Sequence, residues 1–297
     1  MTGVLLAAAC SRQAGLPSKL PPPPLEYLGE WGIKGSGPGQ LNDPAALAVD
    51  SRGNVYIADR GSGFVHKFDA EGKPLLSFQD ERLKQPAAIA VDAGGAIYVV
   101  DQRRRSVLIY YPDGTRYREI RSGALFTPLS VAVNAEGEIF VNDLRTGRVG
   151  KFTPEGRRVK SWEIGGPDFL GLAVLACGPE GAVYVAELLN DRLRKFTRDG
   201  EPVAAWPLAS PAIGEKNSLK HFRVGLAVSE NYVFVEDLTE RRMGVWTLDG
   251  KLKLTDDLGG RLRSEDNPFR GFAVSPRGEL LVLEGSRPGV MRFRINF

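Results

Sequence analysis

From Leu25 onward, short apolar runs alternate with clusters of Gly, Pro, Asp and Asn, the pattern of many short strands joined by turns. The pattern repeats. "LAVDSRGNVYIADRGSGFVHKFDAEG" from Leu47 lines up with "IAVDAGGAIYVVDQRRRSVLIYYPDG" from Ile89 and "VAVNAEGEIFVNDLRTGRVGKFTPEG" from Val131. Three later copies read "VYVAELLNDRLRKFTRDG" from Val183, "YVFVEDLTERRMGVWTLDG" from Tyr232 and "LLVLEGSRPGVMRFRINF" from Leu280. The turn position falls at Gly53, Gly95, Gly137, Gly181, Asn231 and Gly278, so successive copies stand 42, 42, 44, 50 and 47 residues apart. Periods of this length mark the blades of a propeller or a repeat array.

Each copy predicts four strands. The first is small and apolar (Ala45 to Val49, Ala87 to Val91), as a strand crowded near a central axis must be. The second alternates, Val55 and Ile57 out of step with Tyr56, and closes on an acid: Asp59, Asp101, Asp143, Glu187, Asp237 or Glu284. Nine residues after each acid stands an aromatic: Phe68, Tyr110, Phe152, Phe196, Trp246 and Phe293. This one offset, kept in all six copies, predicts a third strand whose aromatic packs blade against blade. Four residues further on comes a turn glycine (Gly72, Gly114, Gly156, Gly200, Gly250), and six past it a bulky residue ends the fourth strand: Phe78, Ile120, Trp162, Trp206 in four copies.

The sixth copy ends at Phe297 before any fourth strand, while a surplus strand, Leu25 to Trp31, precedes the first copy with Trp31 in the bulky place. The expected fold is therefore all-β: a six-bladed β-propeller of four-stranded blades, closed by the N-terminal strand completing the last blade. Closure removes two otherwise unpaired sheet edges. Two segments follow: 1–24 as a leader and tether, and 25–297 as the propeller.

The unit resembles the NHL repeat, in which a Pro precedes the first strand, a Gly turn follows it, and an Asp is trailed by Arg. Pro44, Pro86 and Pro128 fit, as do Arg148, Arg192 and Arg242 five residues after their acids, and "GSGPGQLNDP" (Gly35 to Pro44) matches the loop that leads into such repeats. The resemblance implies the propeller fold. It leaves function open, because propellers of this kind include binding platforms and enzymes.

The first ten residues, MTGVLLAAAC, resemble the end of a bacterial lipoprotein signal, with Cys10 as the residue that would carry lipid. The stretch SRQAGLPSKLPPPPL that follows is a semi-rigid polyproline spacer. The expected location is the bacterial envelope, periplasmic or on the outer membrane, with peripheral attachment by lipid. The alternative is a chance cysteine in a cytoplasmic protein.

Composition narrows the chemistry. Two Cys and two His in 297 residues supply neither a disulfide framework nor a three-imidazole metal site, and 39 basic against 36 acidic residues do not by themselves call for nucleic acid. "PAALAV", "PAAIAV" and "PLSVAV" place no His, Asp or Glu on the first strands, and no phosphate loop, nucleophile elbow or metal-spaced Cys pair is present. The six strand-end acids are expected to accept hydrogen bonds from their own turns, and Cys177 to be a buried thiol. No cofactor is expected.

Charge is distributed unevenly. The five residues after each strand-end acid hold ten Arg, including Arg60, Arg103, Arg104, Arg105, Arg145, Arg241 and Arg287, against two acids, Asp191 and Glu240. The turns of the opposite face carry acids such as Asp69, Asp113, Glu155, Asp199 and Asp249. Arg148, Arg192 and Arg242 hold the repeat's own Arg position and are expected to pair with strand-end acids. The seven named above form the expected binding face, since a planar guanidinium suits carboxylate and phosphate partners. The expected function is a monomeric, non-enzymatic platform for an acidic protein, a peptide or an anionic envelope polymer. The alternatives are a propeller lyase or hydrolase with a metal-dependent site at the axial mouth, and single-stranded RNA binding.

Overall fold

Small first strands, buried second strands and aromatic-tipped third strands assemble as the repeat dictates. The computed structural model describes residues 24–121, 123, 125–165, 173–187, 190, 192–208, 225–237, 242–258, 260, 269–285 and 287–297. Strand β1 (Leu25–Trp31) comes first. Blade one is β2 (Pro44–Val49), β3 (Val55–Asp59), β4 (Phe64–Phe68) and β5 (Pro74–Gln79). Blade two is β6 (Pro86–Val91), β7 (Ile97–Asp101), β8 (Ser106–Tyr110) and β9 (Arg116–Ile120). Blade three is β10 (Pro128–Val133), β11 (Ile139–Asp143), β12 (Arg148–Phe152) and β13 (Arg158–Glu163). Blade four is β14 (Ala173–Cys177), β15 (Val183–Glu187), β16 (Arg192–Phe196) and β17 (Pro202–Pro207). Blade five is β18 (Leu226–Val228), β19 (Tyr232–Asp237), β20 (Arg242–Thr247) and β21 (Leu252–Asp256), and blade six holds β22 (Phe269–Val274), β23 (Glu279–Glu284) and β24 (Gly289–Ile295).

Every sheet is an antiparallel run of four, and β1 supplies the missing outer strand of blade six in the order β22-β23-β24-β1. Its register runs from Leu25 opposite Ile295 to Trp31 opposite Val290. The innermost strands touch in sequence around the ring, with β22 against β2, so the wheel is closed. The architecture expected from the sequence, latch included, is the one found.

Packing explains the fixed offsets. The second strands β3, β7, β11 and β15 are buried along their whole length, sandwiched between neighbouring blades. Where a fourth strand ends in a bulky residue, that residue meets the aromatic of the next blade's third strand: Phe78 lies 4.9 Å from Tyr110 and Trp162 6.2 Å from Phe196, ring centre to ring centre. Such pairs add about 0.5–1.5 kcal/mol each beyond the area they bury. Just before each of these aromatics the pairing with the fourth strand slips by one residue in blades one to five, a bulge that increases local twist. Among the described residues no helix is long and apolar enough to cross a membrane. The leader, Cys10 and most of the connections at 207–223 and 255–271 lie outside the described residues.

Candidate functional site

One face of the wheel carries both the second-to-third turns and the connections entering the first strands. The two sets are hydrogen-bonded together: Arg60 N–H to Asp43 O (3.0 Å), Gln102 N–H to Gln85 O (3.1 Å) and Leu144 N–H to Thr127 O (2.9 Å). The strand-end acids complete the stitching. Asp59 accepts from the amides of Ser62, Asn42 and Asp43; Asp101 from Arg104, Lys84 and Gln85; Asp143 from Thr146, Phe126 and Thr127. The own-turn amide expected from the sequence is there, but two of three donors come from the preceding connection, roughly sixteen residues upstream, which local turn chemistry does not reveal. Glu187 differs: it takes Arg192 at 2.6 Å, Arg194 at 3.3 Å and Asn190 at 2.9 Å.

The arginines of this face divide by partner. Arg60 places Nη2 2.6 Å from Asp43, and Arg104 places Nη2 3.3 Å from Glu119, so both are internally paired. Arg145 is exposed and lies over the Phe126 ring at 5.1 Å. Arg103, Arg105 and Arg287 are exposed with no carboxylate partner among the described residues. Arg241 lies outside them. Of the repeat-position arginines, Arg192 pairs with its own strand-end acid, whereas Arg148 turns outward to Glu163 at 2.5 Å rather than to Asp143.

Arg105 is also conformationally unusual. Its φ is 58°, at the position where Gly63 (φ 75°) and Gly147 (φ 63°) turn the chains of blades one and three. A side chain there costs energy that glycine avoids.

Between blades two and three the same face opens into a pocket of about 310 Å³. Leu125, Val141 and Phe152 form its apolar floor, and Arg148, Arg158, Ser161 and Phe126 line its polar side and rim. It exists because Gly150 stands where the register puts Leu108 in blade two, His66 in blade one and Met291 in blade six. Asp143 also lines the pocket, but its oxygens are occupied by three amides.

One charged residue near the axis escaped the sequence reading. Arg270, on the innermost strand β22, has a side chain only 10% exposed and reaches Asp43 at 3.2 Å, so Asp43 bridges Arg270 of blade six and Arg60 of blade one. Aligning "FRGFAV" with "PAALAV" puts Arg270 in the place of Ala45, a signal the sequence did contain.

The remaining reactive groups face inward. His66 is fully buried between Phe64 and Phe68. Gly39 N–H (3.3 Å) donates to its Nδ1, which lies 2.8 Å from Ser77 Oγ; the proton is thus assigned to Nε2, which has no hydrogen-bond partner. Burial pushes its pKa down to about 4, against the pull of Asp59. His221 lies outside the described residues. Cys177 is half-buried against the core of blades three and four, its thiol pushed up by burial and by Glu136 and Glu138. On the opposite face Lys151, 6% exposed, bridges Glu138 (2.9 Å) and Asp199 (2.7 Å), and Arg198 joins Glu138 at 2.9 Å.

Residues 41–68, from the loop ahead of β2 to the end of β4, match the family model described as NHL repeat. No curated protein matches the sequence significantly. Among solved structures, a streptogramin B lyase superposes with a TM-score of 0.67 at 14% identity, over 92% of this chain and 98% of that one. Virginiamycin B lyase from Staphylococcus aureus, as a catalytically inactive histidine-to-alanine variant with quinupristin, gives 0.64 at 12% identity over 85% of this chain and 80% of that one. Its selenomethionine form gives 0.62 at 13%, over 92% and 89%. At such identities the likeness establishes the fold, and the chain carries an NHL repeat on a six-bladed wheel.

Proposed function

We propose that this NHL-repeat propeller is a non-enzymatic binding platform of the bacterial envelope, tethered by lipid on Cys10 and holding an acidic protein segment, peptide or anionic polymer on its connection face. One observation carries the proposal: Arg103, Arg105, Arg287 and Arg145 project from a single face without carboxylate partners among the described residues, and one of them occupies a left-handed backbone position. Unpaired exposed cations on one rim attract and orient an anionic partner, and backbone strain concentrates where a side chain is kept for function. The acids of the opposite face keep the net charge at only +3, which hides the asymmetry.

The test is capture of a polyglutamate-coated surface at low salt by the full chain and by R103E/R105E/R287E. Loss of capture in the variant, with unchanged thermal unfolding, supports the platform; equal capture overturns it. Mass spectrometry of the native mature N-terminus tests the tether, since a diacyl-glyceryl Cys10 has a distinctive mass.

The lyase alternative draws on the likeness in fold to streptogramin B and virginiamycin B lyases, the latter inactive as a histidine-to-alanine variant. Here His66 is sealed between blades, its Nδ1 engaged by Gly39 and Ser77. An imidazole so placed cannot reach a substrate at the axial mouth. Incubating the protein with quinupristin and a divalent cation, and following the compound by chromatography for conversion, distinguishes the two readings.

A further inference from the structure

The pocket at the seam of blades two and three has a composition that a flat electrostatic face lacks. Its floor is apolar, from Leu125 and Phe152, which are 6% and 1% exposed, and from Val141, which is fully buried. Its rim is cationic. Arg158 donates to Ser161 Oγ (2.7 Å) and has no carboxylate partner among the described residues. Arg148 donates to the Ser161 carbonyl (3.2 Å) and pairs with Glu163, whose side chain is 75% exposed. Phe126 lines the pocket, and Arg145 lies over its ring at 5.1 Å. The one acid in the lining, Asp143, is 1% exposed, and its carboxylate is engaged by the amides of Phe126, Thr127 and Thr146.

We infer that this pocket is a specific subsite for an acidic peptide: it takes one apolar side chain onto the Leu125–Phe152 floor while the adjacent carboxylate engages Arg158 and Arg148. The volume, about 310 Å³, sits at the small end of the roughly 300–1,000 Å³ usual for ligand pockets and suits a single residue. Arg-carboxylate pairing at a partly desolvated rim fixes orientation, and the floor contributes apolar burial. The inference rests on the platform proposed above and makes it selective: the broad arginine face attracts, and the pocket chooses.

The carboxylate has two sources, a peptide C-terminus or an Asp or Glu side chain. Fluorescence anisotropy with four short acidic peptides separates them: one ending in Glu-Leu with a free C-terminus, the same peptide amidated, one with Glu-Leu internal and the end amidated, and one with Leu replaced by Ser. The Leu-to-Ser peptide should bind at least tenfold more weakly than its parent. Loss on amidation alone identifies a terminal carboxylate, whereas retention identifies the side chain.

Two variants of the full chain close the test. G150L fills the pocket with the side chain that blade two carries at the same register, but its Cβ would stand 3.0 Å from the Phe152 ring, so its Tm is measured beside the wild type; R158A removes an exposed cation and carries the test by itself if G150L unfolds. Each should weaken the Leu-containing peptides at least tenfold, and G150L should leave the Ser peptide unchanged. If R103E/R105E/R287E weakens all four peptides while G150L and R158A change none, the platform stands and the pocket is overturned. If no peptide binds the wild type, or Leu and Ser peptides bind alike, the pocket is likewise overturned. If G150L and R158A act and the triple reversal does not, the pocket stands and the broad face falls.

Discussion

Trp31, at the end of the N-terminal strand, occupies the space that a side chain at Gly72 would need: a Cβ added there would overlap the indole. The same relationship ties Phe78 to Gly114, Ile120 to Gly156, Trp162 to Gly200 and Trp206 to Gly250. Blades one to four thus seat their bulky fourth-strand residue on the bare turn of the next, and Trp31 makes that contact for the strand that closes the ring. It also lies 4.9 Å from Phe68, the third-strand aromatic of blade one.

The latch is therefore the first thing to break. Trp31→Ala should cost about 2–4 kcal/mol, less than a fully buried Trp because this ring is half-exposed. For a chain this long, that lowers Tm by about 5–10 °C. Gly72→Val should do comparable damage, through overlap with the indole and through its φ of 88°, which β-branched residues resist. Deleting residues 1–33 bares the β24 edge, and the product should self-associate. Calorimetry and light scattering check these outcomes, and a deletion that stays monomeric with unchanged Tm contradicts the latch.

The triply bonded carboxylates predict a second stability hot spot. Asp101 is fully buried, and Asp101→Ala would leave the Arg104, Lys84 and Gln85 amides without their acceptor. The expected loss is about 3–5 kcal/mol by urea denaturation, since orphaned buried donors cost about 1–3 kcal/mol each and part of the turn can rewet. A loss below about 1 kcal/mol would mean that the acid does not hold the two loops together.

What was legible in the sequence had a local period. The acid-to-aromatic offset and the surplus strand ending at Trp31 both follow from the repeat, because identical units solve the same packing problem at the same positions. The arginine partners were less accessible. Glu119 and Asp43 reach Arg104 and Arg60 from another strand or connection, and a charge count along the chain cannot separate a paired guanidinium from a free one. The seam pocket depends on a missing side chain, and Gly150 is informative only beside Leu108 and His66 in register.

Two titrations, one of them fully buried, shape the acid limb of stability. His66 has a folded pKa of about 4 because burial disfavours its cation, against about 6.5 in the unfolded chain. The unfolded state therefore binds more protons between those values, and stability is lost as pH falls from 6.5 to 4, by up to about 3 kcal/mol. Glu138 acts lower. Burial alone would raise its carboxyl, but hydrogen bonds from Arg198, Lys151 and Asn134 outweigh that and hold it at about 2. Its stabilisation is full above about pH 4.5 and lost toward pH 2, with solvent screening limiting it to about 1–2 kcal/mol. Urea melts from pH 7 to 3 should show both windows. His66→Leu should flatten the upper one, because Gly39 N–H retains Ser77 Oγ at 3.0 Å, and Glu138→Gln should flatten the lower. An upper slope that persists in His66→Leu contradicts the assignment.

The left-handed arginine offers the sharpest separation of stability from function. Gly63 and Gly147 make the corresponding turns without penalty, whereas Arg105 holds φ at 58° with a side chain. Arg105→Gly relieves that strain but adds freedom to the unfolded chain, so the net gain is about 0.5 kcal/mol. On the platform reading, the same change removes a cation from the binding face and should lower polyglutamate capture at low salt several-fold. Arg105→Lys keeps the charge and the strain, and should retain most of the capture without any gain in stability. A turn that merely tolerates arginine predicts the stability gain with no loss of capture. Paired urea melts and capture assays on the two variants therefore decide whether the side chain is kept for its charge.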